Sequence, residues 1–209
     1  TSERIVQVLL EAGIDHVFGI PGGGIIKVYD ALHDVQDKIT CILARHEQTA
    51  ACMADMYGRL TGKPGVFMAQ GAFAVSSGLF GIMEAYTASS PMVVLTEMHE
   101  FMVFSQHSPY ACGTGDHGSV DFKAILKNTT KYTTVAATPV EAVQGTQFAI
   151  KHAVSGTPGP TAVLLTGYDD ATGRDEFQNS WSTDWGASGF GYFPYGYLEQ
   201  LGADIWMIS

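Results

Sequence analysis

Short apolar runs alternate with amphipathic stretches along most of this chain. That alternation constrains the fold more than any other feature, because it is the pattern of a parallel α/β sheet covered by helices on both faces. Ser2 is placed to cap a first helix whose Ile5, Val8, Leu9 and Ala12 share one face and which Gly13 stops. His16 to Ile20 reads as a strand running into Pro21-Gly22-Gly23-Gly24 and then a helix through Ala31. Ile39 to Ala44 is a second strand, followed by a helix from His46 to Leu60 that the turn Gly62-Lys63-Pro64-Gly65 ends. The pattern continues with strands at Val66 to Ala69 and Met92 to Thr96 around a helix at Ser76 to Tyr86. Helices at Val120 to Lys127 and Val140 to Val154 then alternate with strands at Tyr132 to Val135 and Thr161 to Leu165. The expectation is an open parallel sheet of about six strands.

Beyond Asp169 the alternation stops and aromatic residues crowd in, among them Trp181, Trp185, Phe190, Tyr192, Phe193, Tyr195 and Tyr197. A boundary near Gly167 therefore divides an α/β domain, 1–167, from an irregular aromatic and glycine-rich extension, 168–209. The stretch from Glu97 to Gly118 has no clear period and is longer than most structureless loops, which marks it as functional or held by a neighbour.

Composition narrows the partners. A net charge of −10 repels nucleic-acid phosphates and anionic lipid, so neither a nucleic acid nor a membrane is expected as a partner. No apolar run reaches the roughly 18 to 20 residues of a membrane span. The cysteines Cys41, Cys52 and Cys112 are odd in number and lack CxxC spacing, which reads as reduced thiols in a cytoplasmic protein.

Two glycine-rich stretches are candidate phosphate cradles. Gly113-Thr114-Gly115-Asp116-His117-Gly118 has the letters GxGxxG, but no strand precedes it, no carboxylate follows at the required distance, and Asp116 would repel a phosphate. Gly19-Ile20-Pro21-Gly22-Gly23-Gly24 does lie between a strand and a helix, where its glycines allow close approach of a ligand to the backbone. The sharpest constellation is RHEQTAACMADMYGRLTGKPGV, 45–66. Its Glu47 falls at the carboxyl end of a parallel strand and the start of a helix, the edge at which open α/β sheets bind ligands. A first-turn carboxylate also favours the helix dipole with no further role.

The segments GIDHVFGIPGGG (13–24), RHEQTAACMADMYGRLTGKPGV, GIMEAYTASSPMVVLTE (81–97) and GTPGPTAV (156–163) occur in the order that resembles the pyrimidine-binding domain of thiamine-diphosphate-dependent enzymes, most closely the acetolactate synthase-like group. The resemblance covers about residues 1–166. It implies that Glu47 is the catalytic glutamate that hydrogen-bonds N1′ of the cofactor aminopyrimidine and promotes deprotonation at thiazolium C2, so that a 2-oxo acid can be attacked and decarboxylated. It further implies that Pro21, Gly22, Gly23, Gln70 and Phe73 line the cofactor, and that Gly24, Phe104, Gln106 and His107 contact substrate. Gln70-Gly71-Ala72-Phe73 stands where relatives commonly carry Gly-Pro-Gly, and His46 is a candidate neighbour of the glutamate.

The family's diphosphate and Mg2+ site, Gly-Asp-Gly followed by a downstream Asn, has no match in this chain. The resemblance therefore implies that a diphosphate-binding subunit or domain holds the magnesium, within a homo- or hetero-oligomer. The chain is then one subunit of a split enzyme or a piece of a longer polypeptide. Two functions are expected: a lyase (decarboxylase) or transferase (carboligase) acting on small 2-oxo acids, or a non-catalytic assembly domain that keeps the fold.

Overall fold

The computed structural model describes residues 1–98 and 120–155, together with the backbone of three strands at 163–169, 174–179 and 190–194. The chain divides into two units, Thr1–Pro158 and Gly159–Ser209.

In the first unit, four parallel strands form a sheet in the order β2-β1-β3-β4: β1 His16–Gly19, β2 Thr40–Leu43, β3 Gly65–Met68 and β4 Met92–Leu95. Helix α1 (Ser2–Glu11) precedes β1. A 3-10 turn at Gly23–Ile25 and α2 (Ile26–His33) lead to β2, and α3 (Glu47–Thr61) leads to β3. The short α4 (Gly71–Val75) and α5 (Leu79–Thr87) lead to β4, and α6 (Phe122–Thr129) and α7 (Pro139–Val154) follow. Thr1, not Ser2, occupies the N-cap position of α1. A capping box of Thr138 and Glu141 opens α7.

Helices cover both faces because the strands alternate side chains. Val17, Val66, Met68 and Val93 point into a core shared with Leu9, Val28, Leu32 and Ile150. Phe18 and Phe67 point the other way, into a core built from Ala50, Ala51, Ala54, Ala74 and Ile82. The small residues of α3 let it lie close to its neighbours: a Cβ added at Gly81 of α5 would stand 2.6 Å from the main chain of Ala51 and Cys52.

The expected count of six parallel strands is corrected to four among the described residues. Tyr132 to Val135 forms no strand. The Thr130 hydroxyl donates to the Tyr132 carbonyl, the Tyr132 ring stacks on His152, and the Thr134 methyl packs on Gly145, so this segment is taken up by α7 and by its own hydroxyls. The strand expected at Thr161 to Leu165 is seen as β5 (Val163–Asp169), which pairs antiparallel with β6 (Arg174–Asn179). In turn β6 pairs antiparallel with β7 (Phe190–Pro194). The connection 170–173 is long enough for an antiparallel neighbour but too short for the crossover that a parallel one needs. Part of the extension expected to be irregular is therefore a three-stranded sheet in the second unit. Among the described residues no helix is long and apolar enough to cross a membrane.

At the amino edge of the sheet, Asp15 ties β1 to the end of α3. Its carboxylate accepts from Lys63 Nζ at 2.6 Å and from the Tyr57 hydroxyl, and lies 2.8 Å from His16 Nδ1. Lys63 first, then Tyr57 and His16, hold the Asp15 carboxyl well below the usual carboxylate range. Asp15→Asn is expected to lower the unfolding free energy by about 1 kcal/mol at neutral pH, limited by solvent screening because the side chain is 39% exposed. A depressed folded-state pKa gives stability that is present above the unfolded pKa of about 3.9 and is lost as pH falls toward the folded value. Urea unfolding of both proteins checks this: the gap between them narrows below about pH 4, and an equal gap at all pH values excludes the ion pair as its source.

Candidate functional site

The strand order 2-1-3-4 reverses its direction of growth between β1 and β3, and at such a switch point the loops at the carboxyl ends of the strands part to leave a crevice. The register aligns Gly19 with Leu43 and Met68, and Met68 with Leu95, so the loops after all four strands leave one edge. The loop after β1 carries Pro21, Gly22, Gly23 and Gly24, and the loop after β3 carries Gln70.

The glycines let these two loops meet. A Cβ added at Gly22 would stand 3.4 Å from Gln70 Oε1, and one at Gly23 would stand 3.1 Å from Gln70 Nε2 and overlap the Glu97 carboxylate. Gly23 also has φ +52°, a left-handed conformation that glycine adopts without steric penalty. Gln70 is the N-cap residue of α4, and Phe73 lies half-buried one turn further along that helix. Below the loop, the Tyr29 hydroxyl donates to the Met68 carbonyl at 2.9 Å, and burial pushes this phenol well above its usual range, so it stays a donor.

Glu47 arrives from the neighbouring strand. The Ala44 N–H donates to the Gly19 carbonyl at 3.1 Å, which carries the β1–β2 pairing past the strand ends, and Glu47 is the first residue of α3, half-buried. His46 is the N-cap: the Gln48 N–H donates to its Nδ1 at 3.3 Å. The helix N-terminus is a favourable place for a carboxylate. The structure thus brings Gly22, Gly23 and Gln70 together, with Glu47 at the start of α3 on the same edge and Phe73 in the first turn of α4. Phe104, Gln106 and His107 lie outside the described residues, as does Gly113–Gly118.

Two residues were missed by the sequence reading. Tyr29 buttresses the β1 and β3 strand ends. Glu97, two residues beyond β4, has both carboxylate oxygens shielded from solvent, and one of them lies against Gly23. The same rule that singles out Glu47, a carboxylate just past the carboxyl end of a parallel strand, would have found Glu97. Among the described residues no group of His, Cys, Asp and Glu could hold a metal ion.

Residues 1–117 match the family described as thiamine pyrophosphate enzyme, N-terminal TPP binding domain. The chain is 33% identical over 162 residues to the acetolactate synthase large subunit of Haemophilus influenzae, covering 78% of this chain and 27% of that protein. It is 33% identical over 159 residues to the mitochondrial acetolactate synthase catalytic subunit of Saccharomyces cerevisiae, covering 76% and 22% respectively. To the acetolactate synthase of Bacillus subtilis it is 48% identical over 94 residues, covering 45% and 16%. The chain spans about a quarter or less of the length of these curated relatives. With the family match extending over more than half of its residues, the chain belongs to the thiamine pyrophosphate enzymes, through their N-terminal TPP-binding domain.

Proposed function

We propose that the switch-point crevice takes the pyrimidine end of thiamine diphosphate, and that the chain works as the pyrimidine-binding part of an acetolactate synthase-like lyase or carboligase acting on small 2-oxo acids. The observation that carries this reading is the placement of Glu47 at the start of α3, on the same edge as the glycine loop of the adjacent strand. Gly22 and Gly23 carry no Cβ where one would crowd Gln70 and the Glu97 carboxylate, which lets the loops after β1 and β3 seat closely along this edge. Pro21, Gly22, Gly23, Gln70 and Phe73 would hold the ring, and Glu47 would hydrogen-bond N1′ and exchange a proton with it. Gly24, together with Phe104, Gln106 and His107, would contact the substrate. When bound, the cofactor supplies a nucleophilic carbon and an electron sink for decarboxylation.

The diphosphate and its Mg2+ are assigned to another domain or subunit, because this chain carries no Gly-Asp-Gly with a downstream Asn and its acidic balance repels a diphosphate. Calorimetric titration of the 209-residue chain with thiamine diphosphate and Mg2+ is expected to show no saturation up to about 1 mM, whereas the chain joined to its diphosphate-binding domain binds at least about a hundredfold more tightly. Micromolar binding by the chain alone overturns the division of labour. No binding by the assembled protein overturns the cofactor reading.

A further inference from the structure

We infer that Glu97 is a positioning residue for the glycine loop: its carboxylate, with the Gln70 carboxamide, clamps Gly23 in its left-handed conformation and fixes the floor of the crevice before any ligand arrives. Glu97 is itself anchored. Its carbonyl oxygen lies against Gly71, which the buried ring of Phe122 also covers, and the preceding Thr96 hydroxyl donates to the Ala69 carbonyl at 2.8 Å. From this fixed main chain the side chain reaches the loop after β1, although β3 lies between β4 and β1 in the sheet. The carboxylate stands on the side of Gly23 where any L-residue would carry its Cβ, so it and a side chain at position 23 exclude one another.

Three consecutive glycines are the most freely jointed segment a chain can have, and a ligand that had to order them would bind more weakly by that entropy. The clamp joins the loops after β1, β3 and β4 into one surface, so that Gly22–Gly24 are ordered when the crevice is empty. Glu47, which enters from β2, is not part of it. The inference concerns the free loop and stands whether or not the crevice takes thiamine, so the test uses no ligand.

Amide hydrogen exchange of the 209-residue chain is measured by NMR for wild type, E97A and E97Q. In E97A the amides of Gly22, Gly23 and Gly24 are expected to exchange about tenfold faster or more, while Val17 and Phe18 in β1 keep their protection. E97Q keeps the length and shape of the side chain and is expected to stay within about threefold of wild type at all three glycines. Loop exchange in E97A equal to wild type overturns the clamp, and so does E97Q exchanging as fast as E97A. Should E97A not fold, E97D, which draws the carboxylate back from Gly23 by one methylene, takes its place with the same expected and overturning outcomes. A double-mutant cycle gives an independent reading. G23A evicts the same carboxylate that E97A deletes, so the two losses in urea midpoint are expected to be less than additive, and strict additivity overturns the contact.

Discussion

Glu47→Gln is expected to lower turnover of the assembled enzyme by about 10²- to 10⁴-fold, the usual range for removing a positioned proton-transfer group. The substitution is nearly isosteric and sits in the first turn of α3, where His46 supplies the cap through its own ring nitrogen and does not depend on the residue at 47. The buried face of the helix, Ala50, Ala51 and Ala54, is untouched. Stability is therefore expected to change by no more than about 0.5 kcal/mol. What is lost is an acceptor that can take a proton: an amide can hydrogen-bond N1′ but cannot hold its proton. The measurement is turnover of a 2-oxo acid by the chain together with its diphosphate-binding domain, alongside urea unfolding of the same variant. Wild-type turnover with an unchanged fold removes Glu47 from the chemistry and favours the assembly-domain reading.

Gly19→Ala is expected to destabilise the first unit by about 3 kcal/mol or more. Gly19 ends β1, an inner strand hydrogen-bonded by β2 on one side and β3 on the other. An added methyl would overlap the Met68 carbonyl oxygen and the Tyr29 hydroxyl, and would stand 2.9 Å from the Met68 carbonyl carbon. Overpacking of this kind costs about 1 to 3 kcal/mol, and displacing Tyr29 forfeits its hydrogen bond to Met68, a further 1 kcal/mol or so. Tyr29→Phe separates the two contributions, because it removes only the hydrogen bond and is expected to cost about 1 kcal/mol. Combining the two substitutions is not expected to rescue Gly19→Ala, since the clash with the Met68 main chain remains. Urea midpoints measure all three, and a loss below about 1 kcal/mol for Gly19→Ala would contradict the close approach of β1 and β3 at their carboxyl ends.

The strands and the longer helices as far as β4 were legible because their signals are local; the short α4 was not, since a single helix at Ser76 to Tyr86 was expected where α4 and α5 stand. Unbroken apolar runs such as Val17-Phe18 and Val66-Phe67-Met68, a glycine after the last periodic residue of α3, and a carboxylate directly behind a strand can each be read within one window of sequence. Beyond β4 the same β-branched composition misleads, because whether Tyr132 to Val135 joins a sheet depends on which surface reaches it first. Helix α7, with His152 and Gly145, is that surface. Val163 pairs forward with Asn179, a partner no local window contains. The site divides in the same way. Glu47 and Gly22–Gly24 announce themselves by position, whereas the meeting of Gly23 with Gln70 and Glu97 joins three loops that are far apart in sequence.

The close seating of α3 bears on how sharply Glu47 is aimed. A helix that rests on neighbours through long side chains can shift by an ångström as those chains change rotamer. Here the spacers are absent, for Ala51 and Cys52 meet the bare Cα of Gly81, and the Ala54 carbonyl meets that of Gly65. The helix is also pinned laterally, with Arg59 bound to the buried Asp55 at 2.7 Å and donating to the Glu84 carbonyl. Backbone stopped directly against backbone works like a datum face in machining: position is referenced to the stiffest parts available, and errors do not accumulate through soft intermediates. Sequence drift on the outer face of α3, where Met53, Met56 and Leu60 are exposed, can then proceed without misaligning the carboxylate at its tip.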